Sequence, residues 1–157
     1  MGYLENVSYE DITIGQTAAY SKTVTERDIQ LFAIISGDAN PVHLDEAYAS
    51  GTPFEGRIAH GMLTGALVSA AIATTLPGPG SVYRSQSLRF RAPVRIGDTV
   101  TVRLEVADKN DRSHLVTLDC KAYNQDDKLV ASGSADVIAA PGKIRVDAPI
   151  LPEVSLD

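Results

Sequence analysis

Apolar and polar residues alternate along the second half of the chain. In "QSLRFRAP", Leu88, Phe90 and Ala92 fall on one side and Ser87, Arg89 and Arg91 on the other. In "DTVTVRLEVA", Val100, Val102, Leu104 and Val106 alternate with Thr101, Arg103 and Glu105. A period of two places successive side chains on opposite faces of a strand. "HLVTLDCKAYN" and "KLVASGSADVIA" read as two more strands, and the turn sequences "RIGD", "DKNDR" and "NQDDK" separate the runs at regular spacing. The pattern predicts antiparallel hairpins with one face on a core. "QTAAYSKTV", near the start, is a further strand candidate.

The first half follows other periods. "TERDIQLFAIISGD" predicts a helix: Thr25 caps it, Asp28 three residues on approximates a capping box, and Ile29, Phe32, Ala33 and Ile35 form one apolar stripe. Gly37 ends it in a left-handed conformation that a β-carbon disfavours. "LDEAYAS" reads as one or two helical turns closed by Gly51. "GMLTGALVSAAIATTL" (61–76) holds no charge. As a helix it spans roughly 24 Å, short for a membrane crossing, and its Ala, Gly, Ser and Thr are weakly hydrophobic. It predicts a helix buried on nearly all sides and stopped by "PGPG" at 77–80. The order of elements gives an α+β layout, a central long helix against a curved antiparallel sheet.

The 157 residues suit one domain with a real core. A net charge of −6 disfavours nucleic acid and anionic membrane as partners. Cys120 is the single cysteine, so no internal disulfide can form, and a reducing, cytoplasmic location is expected. Its inward strand position predicts a buried, inert thiol. "MGYLENVSYEDITIG" lacks the apolar run of a secretory signal and fails the myristoylation pattern. The last stretch, "APGKIRVDAPILPEVSLD", carries Pro141, Pro149 and Pro152 without periodicity. The expected division is a domain over 1–140 and a proline-containing tail over 141–157. That tail packs along the body, stays mobile, or is the remnant of a linker to a further domain.

Candidate chemistry begins in "SGDANPVHLD" (36–45). Pro41 fixes its own φ and pushes Asn40 toward an extended conformation, which stiffens the loop. Asp38 and His43 flank that centre, and an acid and an imidazole so placed can hold one water between them. Alone, Asp38 and Asn40 read equally well as turn residues and His43 as a structural one. Downstream, His60-Gly61 opens the uncharged helix, whose first N–H groups are free and carry partial positive charge. His60 reads as a structural residue at the helix entrance. Ser69, eight residues past Gly61, falls roughly on its face as a supporting group or a small packing residue. Arg84, Arg89, Arg91 and Arg95 form a basic segment, either a solvated strand face or a set of phosphate contacts. His114, after a charged turn, is expected in solvent. The three histidines are dispersed in sequence, so no metal site is expected. No phosphate-cradling glycine loop appears.

The segments "FAIISGDANPVHLD" (32–45), "RIAHGMLTGALVS" (57–69) and "LPGPGSVYRSQSLRFRAPVRIGDTV" (76–100) resemble the MaoC-like hydratase family, in particular its (R)-specific enoyl-CoA hydratases. The resemblance spans roughly residues 8–140. It implies a hot-dog fold and a homodimer, or higher homo-oligomer, whose sheets join edge to edge. It implies Asp38 and His43 as the catalytic dyad, the Gly61 N–H as oxyanion donor, and Asn40, His60 and Ser69 in support. The substrate it implies is an acyl-CoA, with coenzyme A as part of the substrate and no separate cofactor. Its last segment also resembles hydratase domains fused to phosphate acetyltransferase-like domains. Two rivals keep the same fold: a hot-dog acyl-CoA thioesterase and a non-catalytic acyl-CoA-binding module.

Overall fold

The computed structural model describes residues 2–157. Its strands are β1 (Tyr3–Glu5), β2 (Thr17–Thr23), β3 (Val82–Phe90), β4 (Thr99–Asn110), β5 (Leu115–Tyr123), β6 (Leu129–Ile138) and β7 (Arg145–Asp147). Its helices are α1 (Glu26–Ser36), α2 (Pro41–Leu44), α3 (Glu46–Ser50) and α4 (Gly61–Thr74). Five strands form one antiparallel sheet in the order β2-β4-β5-β6-β3, so β2 and β3 are its edges. The period-two residues land as expected. Val100, Val102, Leu104 and Val106 of β4 and Val116, Leu118, Cys120 and Ala122 of β5 are buried on the inner face. Cys120 donates to the Leu118 carbonyl, and burial pushes its thiol up to about 11. Gly133 on β6 is required sterically, because a Cβ there would lie 1.8 Å from the Ser87 carbonyl oxygen of β3.

α4 packs on β2, β4 and β5 through Leu63, Leu67, Val68, Ala71 and Ile72. It is not enclosed on nearly all sides. Gly61, Met62, Ala66 and Ala73 face outward, and Met62 is 59% exposed. One curved sheet covers one flank of a cylinder, and a helix without a polar stripe carries no signal of which flank stays open. The helix ends at Thr74, just before "PGPG". No helix among the described residues is long and apolar enough to cross a membrane.

α1 has the expected capping box, with the Asp28 amide donating to Thr25 Oγ1 (3.2 Å) and the Thr25 amide to Asp28 Oδ2 (2.9 Å). Gly37 closes it with φ 78°. Its stripe differs: Ile29 is buried but Ile35 is 79% exposed. The 141–157 segment contains β7, which pairs with β1 in a ladder the sequence pattern did not announce. Beyond it the Arg27 guanidinium donates to the Val154 carbonyl, which joins this stretch to α1, while Ile150 and Leu151 stay exposed. His114 is not simply solvated; it is half-buried and stacked on Tyr9 with centroids 4.5 Å apart.

Candidate active site

The loop after α1 is braced by its own side chains. Ser36 Oγ accepts from the Asp38 amide (3.1 Å), Asp38 Oδ1 from the Asn40 amide (3.2 Å), and Asn40 Oδ1 from the Val42 amide (3.2 Å). Asn40 is therefore the N-cap of α2, with Pro41 in its first turn. Asn40 is exposed. This short helix carries His43 inward, where it is 8% exposed, while Asp38 remains exposed on the loop.

Backbone carbonyls set the ring tautomers. His43 Nδ1 lies 2.8 Å from the Ile58 oxygen and His60 Nε2 lies 3.0 Å from the Asp38 oxygen. A carbonyl only accepts, so those nitrogens carry hydrogen and a neutral ring keeps its other nitrogen as a lone pair. For His43 that is Nε2. For His60 it is Nδ1, which is buried and without a partner among the described residues. The two rings stack at 3.9 Å with planes inclined by 27°, and Phe32 lies 4.9 Å from His60. One side-chain atom from each of Asp38, His43 and His60 falls within 4.8 Å of the others. A water about 2.8 Å from each of two acceptors bridges that span. Folding thus joins His43 and His60, which lie 17 positions apart in the sequence.

Gly61 begins α4, and its N-cap, His60, makes no side-chain capping bond; its carbonyl accepts from the Leu63 amide (3.0 Å), and no His60 side-chain atom accepts from the first-turn amides. Gly61 borders a cavity of about 280 Å³ together with His60, Thr64, Phe90, Val94 and Val130. A Cβ at position 61 would meet three Phe90 ring carbons at 3.3 Å, so glycine keeps this wall open. The Ala59 amide, bonded to Val94 (2.7 Å), fixes the approach to the helix. Asp38 and His43 do not line the cavity; His60 links it to them. Ser69 is half-buried on α4 and does not line it, whereas the buried Thr64, which sequence reasoning passed over, does.

Arg57 was also missed. Its Nε donates to the His43 carbonyl (2.8 Å), its Nη1 pairs with Glu26 in the first turn of α1 (2.9 Å), and its amide donates to Glu46 (3.2 Å). It ties three helices to one another behind the Asp38–His43 pair. Nothing in "EGRIAHG" distinguishes such a tie from a surface arginine.

Residues 11–124 match the family described as MaoC like domain. The chain belongs to the MaoC-like family. It is 48% identical over 132 residues to an (R)-specific enoyl-CoA hydratase of Rhodospirillum rubrum, which covers 83% of this chain and 90% of the relative. It is 45% identical over 139 residues to a 3-hydroxybutyryl-CoA dehydratase of Methylorubrum extorquens, covering 88% and 87%. The unliganded R-hydratase PhaJ1 of Pseudomonas aeruginosa superposes with a TM-score of 0.95 at 48% identity over 99% of this chain and all of that one. The fold is the hot-dog fold, as the resemblance implied.

Within this MaoC-like frame the Asp38–His43–His60 cluster also has the donor types of a metal site. Its two rings are stacked, with centroids 3.9 Å apart and planes inclined by 27°, whereas two imidazoles that share one ion turn their ring edges toward a common point. Of the basic segment, Arg95 donates to the Phe54 carbonyl (2.6 Å), and the exposed Arg84 sits at a register irregularity between Tyr83 and Ser85. Arg89 lies on the outward face of β3, and Arg91 follows the strand with Nε on Ser132 Oγ (3.2 Å).

Proposed function

We propose that the protein adds water reversibly across trans-2-enoyl-CoA to give (R)-3-hydroxyacyl-CoA. The convergence of Asp38, His43 and His60 within 4.8 Å, beside an uncapped helix N-terminus, is the observation that carries this reading. Asp38 and His43 Nε2 hold one water. As its oxygen bonds to Cβ, Asp38 takes a proton and the π pair moves toward the thioester oxygen. The enolate then collects a proton at Cα, returned from the Asp38–His43 pair, and one molecule of water has been added. The Gly61 N–H donates to the thioester oxygen where negative charge develops. His60 positions Asp38 through its backbone carbonyl. Asn40 shapes the loop through its bond from the Val42 amide. The reaction uses no metal and no separate cofactor, consistent with the stacked imidazoles, and coenzyme A arrives as part of the substrate.

The working form in this reading is a homodimer. β3 is a free edge, Val82 and Phe90 on it are 54% and 52% exposed, and the open flank of α4 lies beside it. A second copy covers both and shields the exposed Asp38 from bulk water. The unpaired thiol favours the cytoplasm. The test is incubation with crotonyl-CoA. Loss of enoyl absorbance without free thiol supports hydration. Release of thiol makes the protein a thioesterase, and neither change makes it a binding module; both outcomes refute the proposal.

A further inference from the structure

The outward face of the sheet carries a polar feature apart from the Asp38–His43 pair. Cross-strand register sets Lys121 of β5 beside Ser132 of β6, and Ser132 beside Arg89 of β3. Arg91 reaches the same serine through Nε. Three cations therefore surround one hydroxyl in a shallow depression, with Ser87 and Ser134 at its rim. The chain as a whole carries −6, so the clustering runs against its average. Asp119 is the carboxylate in this depression, and it pairs with Lys121 at 3.7 Å. Arg89 and Arg91 form no ion pair among the described residues. Like charges on adjoining strand positions repel, so the arrangement gains from an anion that joins them. Arg91 also lines the cavity that holds His60 and Gly61, so depression and cavity share a wall.

We infer that Arg89, Arg91 and Lys121 bind the nucleotide phosphates of coenzyme A while the thioester lies at Gly61. This rests on the hydratase reading and extends it to the far end of the substrate. Guanidinium forks match phosphate oxygens in pairs, and Ser132 adds a hydroxyl donor. Arg84 and Arg95 fall outside the set: the first sits at the strand irregularity and the second is held by the Phe54 carbonyl. Lys121 enters it, although the sequence pattern shows it only as one outward strand residue.

The test compares coenzyme A with pantetheine, which lacks the phosphates. Calorimetric titration of the wild-type chain should give tighter binding of coenzyme A, by roughly tenfold for two solvent-exposed ion pairs. The Arg89→Ala/Arg91→Ala double variant should abolish that preference, and Arg112→Ala, on the β4–β5 turn, should keep it. With crotonyl-CoA the double variant should raise KM roughly tenfold with kcat within about twofold. With crotonyl-pantetheine the Arg89→Ala single variant, which leaves the cavity-lining Arg91 in place, should match the wild type. Wild-type KM for crotonyl-CoA should rise with added salt, and the double variant should flatten that rise. Equal binding of both ligands by the wild type, a preference that survives in the double variant, or an equal loss on both ligands overturns the inference. So does a loss confined to acyl groups on a carrier protein. If the wild type hydrates neither thioester, the catalytic reading fails while the titrations still decide the phosphate site.

Discussion

The two flanks of α4 have the same uncharged composition and opposite fates. On one, Leu67, Val68, Ala71 and Ile72 press into the sheet and are almost wholly buried. On the other, Met62, Ala66 and Ala73 are exposed, and Gly61 and Gly65 face Phe90 and Leu88 of the edge strand. The first flank makes the fold. The second, with the N-terminal amides at its head, borders the candidate chemistry. A helix that is apolar all round is built to be covered twice, and one sheet covers it once. Sequence hydrophobicity therefore reports the need for cover without saying whether the cover is this chain or another.

The contrast predicts that substitutions sort by flank. Asp38→Asn and His43→Gln should each lower crotonyl-CoA turnover at least about 100-fold, with circular dichroism unchanged, because neither side chain belongs to the covered flank. Leu67→Ala should do the reverse: it should cost about 2–5 kcal/mol of stability in denaturant titration and leave kcat close to wild type at temperatures where the variant is folded. Met62→Asp should leave the sheet side intact and shift elution on size exclusion toward the monomer. Arg57→Met should lower kcat roughly tenfold through loosened placement of His43, with KM little changed and partial recovery in Arg57→Lys.

The smallest effect belongs to the α1 cap. Partial burial pushes the Asp28 carboxyl up, but hydrogen bonds from the Thr25 amide and hydroxyl and the nearby Lys22 ammonium outweigh it, and the group lies below its ordinary value. A carboxyl lowered in the folded state stabilises fully above its unfolded pKa, and that contribution fades as pH falls through the folded value. Asp28→Asn should therefore lower the melting temperature at neutral pH, and the gap to wild type should close in acid.

Strand residues were legible because alternation is dictated by the pleat, and each inward residue from Val100 to Ala122 follows it. The cap of α1 was legible because Thr25 and Asp28 satisfy local amides. Three features were not. The β1–β7 ladder is three residues long on each side, too short to show a period. The stacking of His43 on His60 depends on how α2 and the start of α4 meet, a tertiary fact. Arg57 has ordinary sequence surroundings, and only its partners reveal it. Asp38, His43 and Gly61 were picked out by motif resemblance, and the fold brings the first two together around His60, with Gly61 next in the chain.

The central claim is that Asp38 and His43 act on one water. The most direct measurement is a double-mutant cycle on crotonyl-CoA hydration with Asp38→Asn, His43→Gln and the pair combined. The account predicts that the combined variant loses little more than the worse single one, since either change disables the same water. Losses that multiply would show two groups working on separate steps or separate atoms, and would contradict it.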